Sequence, residues 1–378
     1  MTAIAMERPR IKSSHDPARV NSNGKIRMGG LQIGIAYELD DPGGVVWQLL
    51  GLLDGSRTRD QAVADLLRGH PDLDAGSVQE VIDLLIEHGS VEDAAATPPP
   101  PLDAAELDRY SRNLAYFSWA DRFPRATPYH HQLRLKDASV TVLGVGGTGS
   151  SVALSMAAMG VGRIRLADHD TVELSNLNRQ LLYEERDVGR PKVAAAVERL
   201  RALNSAIDVS GLEVNAHGSD DIAELMRSCD LFALCADTPH EIALWANEAA
   251  LRTRTPWLMA SYAGPMAVAG LFVPFETPCL ECVRRHNLDA SVLGEKLWPD
   301  NAFTVQPVIA PAAALAGHLA ALIGSYFLTG MDVPCAGGLL HYNLLDFEHV
   351  YLDKHEFAPD CPSCGPAARR RAGESDGS

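Results

Sequence analysis

The chain has 378 residues, 46% of them hydrophobic, enough apolar material for two packed domains and too much for wholesale disorder. Its 33 Lys plus Arg against 49 Asp plus Glu give a formal charge of −16, which argues against nucleic-acid partners held through cationic phosphate contacts. The opening MTAIAMERPRIKSSHDPAR has no apolar signal core, and the stretch closest to a membrane span, residues 305–329, is interrupted by Pro307, Pro311 and His318, so a cytoplasmic protein with no membrane partner is expected.

Residues 1–24 read as a flexible lead segment and 25–93 as a small module. In that module KIRMGG and LQIGIAYEL read as strands turning at Gly29-Gly30, followed by three helices. The first carries Val46, Leu49, Leu50 and Leu53 at helical spacing. The second opens with a Thr58/Gln61 capping box, and the third with a Ser77/Glu80 box. Short strands with three helices predict a winged-helix-like fold. The third helix carries Glu80, Asp83 and Glu87 but no Lys or Arg, so it is not a DNA reader. The bland alternative for this module is an accessory packing domain. Residues 94–102 hold Pro98–Pro101, which cannot sit in a helix and predict an extended linker.

From 103 to 366 apolar strands and helices alternate: VTVLGV, a helix through Ala158, RIRLAD, a helix from Pro191 to Leu203, then LFALCAD. That order predicts βαβ units and a mainly parallel, Rossmann-like sheet. Residues 305–329 are the most apolar stretch and read as a buried core helix, since His318, Pro307 and Pro311 interrupt them. Residues 367–378, with three arginines, read as a disordered tail.

GVGGTGS places Gly144, Gly146, Gly147 and Gly149 between a strand and a helix, where glycines let the backbone approach phosphate and free N–H groups face it. Asp168 follows Gly149 by 19 residues at the end of the next strand, placed to accept ribose hydroxyls. On those features alone NAD or FAD is the default ligand. Asn176, Arg179 and Lys192 change that balance, because a triphosphate attacked at its α-phosphorus needs cations for the developing charge and departing pyrophosphate. Asp237, ending LCAD, suits Mg²⁺. Asp170 joins the nucleotide set, with a turn charge as its competing reading.

Two C-x-x-C pairs, Cys279/Cys282 and Cys361/Cys364, can make one closed tetrahedral Zn²⁺ site, structural because four thiolates leave no position for water. Redox disulfides are the alternative. Cys229 and Cys235 flank an apolar strand and read as buried, and Cys335 precedes the final strands.

These motifs resemble the ThiF/MoeB superfamily, relatives of ubiquitin-activating enzymes. RYSRN (109–113), GVGGTGS, LADHDTVELSNLNRQ, GRPKV and CADT occur in the family's order, with Thr238 where the family often has Asn. The resemblance implies that Asp168 binds ribose, that Asn176, Arg179 and Lys192 handle phosphates, and that Asp237 holds magnesium. It also implies that Arg112 reaches the partner subunit's nucleotide in a homodimer, and it strengthens the zinc reading. The loop VRRHNLDASVLGEKLWPDNAFTVQP lacks the cysteine of thioester-forming relatives, so no thioester step is expected; Arg284, Arg285 and His286 there are candidates to steer an acidic terminus. Module order is similar to MccB-type peptide adenylyltransferases, whose N-terminal module resembles the recognition element that clamps a precursor peptide. The implied activity is ATP-dependent adenylation of the terminal carboxylate of a peptide or small protein. Alternatives are a sulfur-carrier adenylyltransferase, a non-catalytic leader-peptide partner of a YcaO-type cyclodehydratase, and a nicotinamide or flavin oxidoreductase.

Overall fold

The computed structural model describes residues 6–20, 24–30, 34–290 and 307–365, without side chains at 286–290. The chain divides into two compact units, Met1–Arg134 and Leu135–Ser378.

The smaller unit contains β1 (Pro9–Ile11), β2 (Ala18–Val20), β3 (Lys25–Met28), β4 (Tyr37–Asp40), α1 (Val45–Leu52), α2 (Arg59–Gly69), α3 (Ala75–Glu87) and β5 (Val91–Asp93). Then come α4 (Ala104–Arg109) and α5 (Ser111–Ala120), and α6 (His130–Asp137) runs on across the division. Strands β2-β3-β4 form one antiparallel sheet and β1 pairs with β5. Ile26, Met28, Leu49, Leu53, Ile82 and Leu85 fill the core. The Thr58/Gln61 capping box forms as read, but α3 begins earlier than read: Asp74 is its cap and accepts the Ser77 N–H. Asp74 serves the orphan amide of Ser77 itself, which places Ser77 and Glu80 inside the helix rather than at its start.

Two boundaries differ from the sequence reading. Residues 9–20 lie in strands and a short 3₁₀ turn rather than a flexible lead. The proline run closes in a turn, Leu102 N–H donating to Pro99 O, and both of its flanks belong to the smaller unit. Residues 103–134 join that unit because Lys12 and His15 bond the end of α5, as described below. The expected tail at 367–378 lies outside the described residues.

The larger unit contains β6 (Ser139–Leu143), α7 (Gly147–Met159), β7 (Arg163–Asp168), α8 (Lys192–Leu203), β8 (Asp208–Glu213), α9 (Ser219–Met226) and β9 (Leu231–Leu234). It continues with α10 (Ile242–Thr253), β10 (Trp257–Ala263), β11 (Met266–Phe272), α11 (Leu280–Ala290), α12 (Ala310–Thr329), β12 (Gly338–Asn343) and β13 (Val350–Lys354). Its sheet runs β13-β12-β11-β10-β9-β6-β7-β8, parallel from β10 to β8 and antiparallel from β10 to β13. The fold is α/β with a Rossmann-like core, as expected. Helix α12 is long and apolar enough to cross a membrane by composition, but it is mostly buried and packs on α7. Gly317 permits this approach, since a Cβ there would stand 2.3 Å from Thr148 O.

The strand order fixes where a ligand can lie. The chain steps from β6 outward to β7 and β8, then returns to β9 on the other side of β6. Binding crevices in such sheets open at this reversal, beyond the carboxyl ends of the strands.

Candidate nucleotide site and four-cysteine centre

The glycine loop leaves β6 at that reversal. Gly144 has φ +88°, and a Cβ on it would stand 2.6 Å from Ala236 N; one on Gly149 would stand 1.8 Å from Gly144 O. Only glycine folds this turn so tightly against the end of β9. Helix α7 then starts at Gly147 with no side-chain cap and no acid in its first turn, leaving its amides free for an anion. Gly149→Ala is expected to cost about 3 kcal/mol of stability and to abolish Mg-ATP binding, read by melting and calorimetry together. Parental Mg-ATP affinity in that variant would mean the loop cradles no phosphate.

Asp168 ends β7 and is buried, 7% exposed. Its Oδ2 accepts the Val145 N–H at 2.7 Å and its Oδ1 accepts the Asp170 N–H at 2.9 Å, tying the glycine loop to the next turn. Lys192, 5% exposed, is the first residue of α8 and donates to Asp170 Oδ2 at 2.8 Å. Arg179 is half-buried; its stem passes Gly147, 3.5 Å from that glycine's Cβ position, and its guanidinium donates to Ser175 O and Asn178 Oδ1. Asn176 is buried, its Oδ1 accepting the Glu173 N–H at 3.1 Å. Asp237 is exposed just past β9, with Thr238 Oγ1 donating to its carboxylate at 3.3 Å.

Two neighbours were not anticipated. Tyr262 on β10 lies near Arg179 and Asp237; burial first, then the Asp237 charge, raises its phenol pKa, with Arg179 opposing. Gln180 is 4% exposed, its amide nitrogen 3.6 Å from the Gly146 Cβ position. Neither lies in a strand–glycine–helix pattern, so only strand pairing brings Tyr262 to the site.

Cys279, Cys282, Cys361 and Cys364 are buried and unpaired, their sulfurs all within 4.8 Å of one another. The Sγ–Sγ distances are 3.9 Å for Cys279–Cys282, 3.7 Å for Cys279–Cys361 and 3.3 Å for Cys282–Cys364. Thiolates at tetrahedral Zn–S distances lie about 3.8 Å apart, so this group could bind zinc. Leu251, Phe357 and Ala358 pack around it, and Asn247 caps the following helix through the Leu280 N–H. Cys229, Cys235 and Cys335 are half-buried. Arg285 is taken up by Asp360 at 2.6 Å rather than left to steer a substrate, while the His286 side chain and residues 291–306 lie outside the described residues.

Arg112 is exposed on the first turn of α5 in the smaller unit, whereas the rest of the expected set belongs to the larger one.

The ThiF family model matches residues 110–363. Over 237 residues the chain is 35% identical to the sulfur carrier protein ThiS adenylyltransferase of Bacillus subtilis, covering 62% of this chain and 67% of that protein. It is 32% identical over 279 residues to the heterocyst protein HesA of Trichormus variabilis, covering 73% and 95%. Among solved structures, E. coli MccB superposes with a TM-score of 0.77 at 23% identity, covering 94% of this chain and 99% of that one.

Proposed function

The chain belongs to the ThiF family and is an ATP-dependent adenylyltransferase, and from that premise we propose that it activates the C-terminal carboxylate of a peptide, in peptide natural-product biosynthesis. A carboxylate oxygen forms a bond to the α-phosphorus of ATP while the bond from that phosphorus to the bridging oxygen breaks. Pyrophosphate leaves and an acyl-adenylate remains. No side-chain nucleophile is needed, so catalysis is positioning plus charge neutralisation.

The observation that carries the reading is the buried Lys192 beside the glycine loop's acidic turn, with Arg179 against Gly147. In our reading Asp168 takes ribose, Arg179, Lys192 and the Nδ2 amide of Asn176 take phosphate oxygens, and Asp237 holds Mg²⁺ with Asp170 beside it. Mg²⁺ would offset triphosphate charge there. The four cysteines would hold a structural Zn²⁺. Arg112 would serve the nucleotide of a second copy in a homodimer, in the cytoplasm. Calorimetry is expected to show Mg-ATP binding and no NAD⁺ binding; the reverse pattern would sink the proposal.

Support for a peptide comes from E. coli MccB, solved in complex with N-formylated MccA, whose fold covers both units of this chain. The edge strands β2 and β4 leave backbone groups to which an extended peptide can add. A second reading is favoured by the 35% identical ThiS adenylyltransferase: a small carrier protein as substrate. ATP–pyrophosphate exchange separates the two. Exchange driven by a short peptide encoded beside the gene supports the first reading, and exchange driven only by a Gly-Gly-ending carrier supports the second. The full phosphate set disfavours a non-catalytic partner of a YcaO-type cyclodehydratase.

A further inference from the structure

Helix α5 carries Arg112 on its first turn, and the other end of the helix is held by residues from the start of the chain. Lys12 Nζ donates to Ser118 O at 3.0 Å and to Asp121 O at 3.3 Å. His15 Nε2 lies 3.1 Å from Trp119 O. A carbonyl only accepts, so His15 carries its proton on Nε2 when neutral, and Nδ1 must accept. The chain of bonds then runs one way: Tyr37 O–H to Ser90 Oγ at 2.7 Å, Ser90 O–H to His15 Nδ1 at 3.0 Å, and His15 Nε2–H to Trp119 O. Tyr37 lies on the edge strand β4 of the small sheet.

These side chains are costly to bury. Lys12 is 7% exposed and His15 1%. Burial lowers the pKa of both, with Asp121 opposing this for Lys12 and the Trp119 carbonyl opposing it for His15. Asp121 is 1% exposed; burial pushes its carboxyl up, but bonds from His131 at 2.7 Å, Arg125 at 2.6 Å and the Phe123 N–H outweigh that and hold it at about 2. Capping alone does not call for so much buried polarity, since water or a single side chain satisfies most helix ends.

We propose that Lys12 and His15 are positioning residues for Arg112: by fixing the C-terminal carbonyls of α5, the N-terminal module sets where the guanidinium at the other end can reach. The inference rests on the reading of Arg112 as the residue that serves a partner's nucleotide. From residue 112 to 119 the helix is about 10 Å long, so a tilt of about 10° moves Arg112 by on the order of 2 Å. A displacement of that size is enough to carry a guanidinium out of hydrogen-bond range of a phosphate oxygen. The relay from β4 also gives the module a physical route to the arginine.

The test is a mutant cycle on Mg-ATP affinity in the full-length chain, by calorimetry, with melting curves to confirm folding. Arg112→Ala is expected to weaken Mg-ATP binding about tenfold. Lys12→Met and His15→Leu should each weaken it about three- to tenfold, yet add less than about twofold in the Arg112→Ala background, because they act through the same group. His15→Gln keeps an N–H for Trp119 O and should bind like the parent. If Lys12→Met does not fold, the His15→Leu and His15→Gln pair carries the comparison. Full additivity with Arg112→Ala, or parental affinity in the latch variants while Arg112→Ala is weakened, overturns the positioning role and leaves the shared site standing. Parental affinity in Arg112→Ala removes the shared site and the inference with it.

Discussion

Lys192→Met is expected to lower ATP–pyrophosphate exchange about 10³-fold without unfolding the protein. Met matches the length of the Lys stem and removes only the ammonium. Lys192 occupies the first position of α8, where the helix dipole disfavours a cation, and it is 5% exposed. A residue chosen for stability at a helix N-terminus would be neutral or acidic. Here the ammonium is held by one carboxylate, Asp170, which is itself half exposed at 49%. That arrangement would let the buried ammonium trade a solvent-screened partner for triphosphate oxygens. Asp170→Asn should have a smaller and mixed effect, freeing the cation while loosening its position. Measured kcat falling with KM for ATP nearly constant would place Lys192 on the reaction itself; a rise in KM alone would make it a binding residue.

Much of this site is legible in the chain because its parts obey local rules. Gly144 and Gly149 are dictated by a turn that tolerates no Cβ, and Asp168 by its place at the end of the strand that follows. Lys192 and Asp237 sit at strand and helix ends that the apolar periodicity already marks. What stayed hidden depends on pairing across the chain. Tyr262 reaches Arg179 only because β10 lies beside β9, and nothing within residues 257–263 signals it. Strand β8 also escaped reading: it is an exposed edge with Ser210, Gly211 and Glu213 in place of an apolar run.

Domain limits were misread for the same reason. Four prolines mark a local break in secondary structure, but unit membership is decided by packing, and Lys12 and His15 reach over more than 100 residues of chain to α5. A truncation at the prolines would therefore strip α5 of the donors at its end. The capping boxes show the local counterpart: Thr58 and Gln61 pair as read, while Asp74, three residues before Ser77, wins the competition for α3.

If the four cysteines hold zinc as proposed, chelating it, or changing Cys361→Ser, is expected to destabilise the larger unit by about 4 kcal/mol or more, which lowers its melting temperature by about 8–16 °C. The reason lies in what the cysteines join. Cys279 and Cys282 stand at the start of α11, whereas Cys361 and Cys364 lie beyond the last strand, β13. Leu251, Phe357 and Ala358 pack around them and Arg285 bonds Asp360, and an ion shared by the four thiolates would add the tie that binds residues 355–365 to the start of α11. One ion shared by the two pairs would close a loop of about 80 residues, and losing any ligand opens it. Cys279→Ser and Cys361→Ser should consequently destabilise alike, and the double variant hardly more than either single one. Because four thiolates leave no open coordination position, the specific activity of the molecules still folded should change little. Elemental analysis is expected to find one zinc per chain in protein purified without chelator. Zinc-free protein that melts at the same temperature before and after chelation would leave the four thiols as a plain buried cluster and remove the clip.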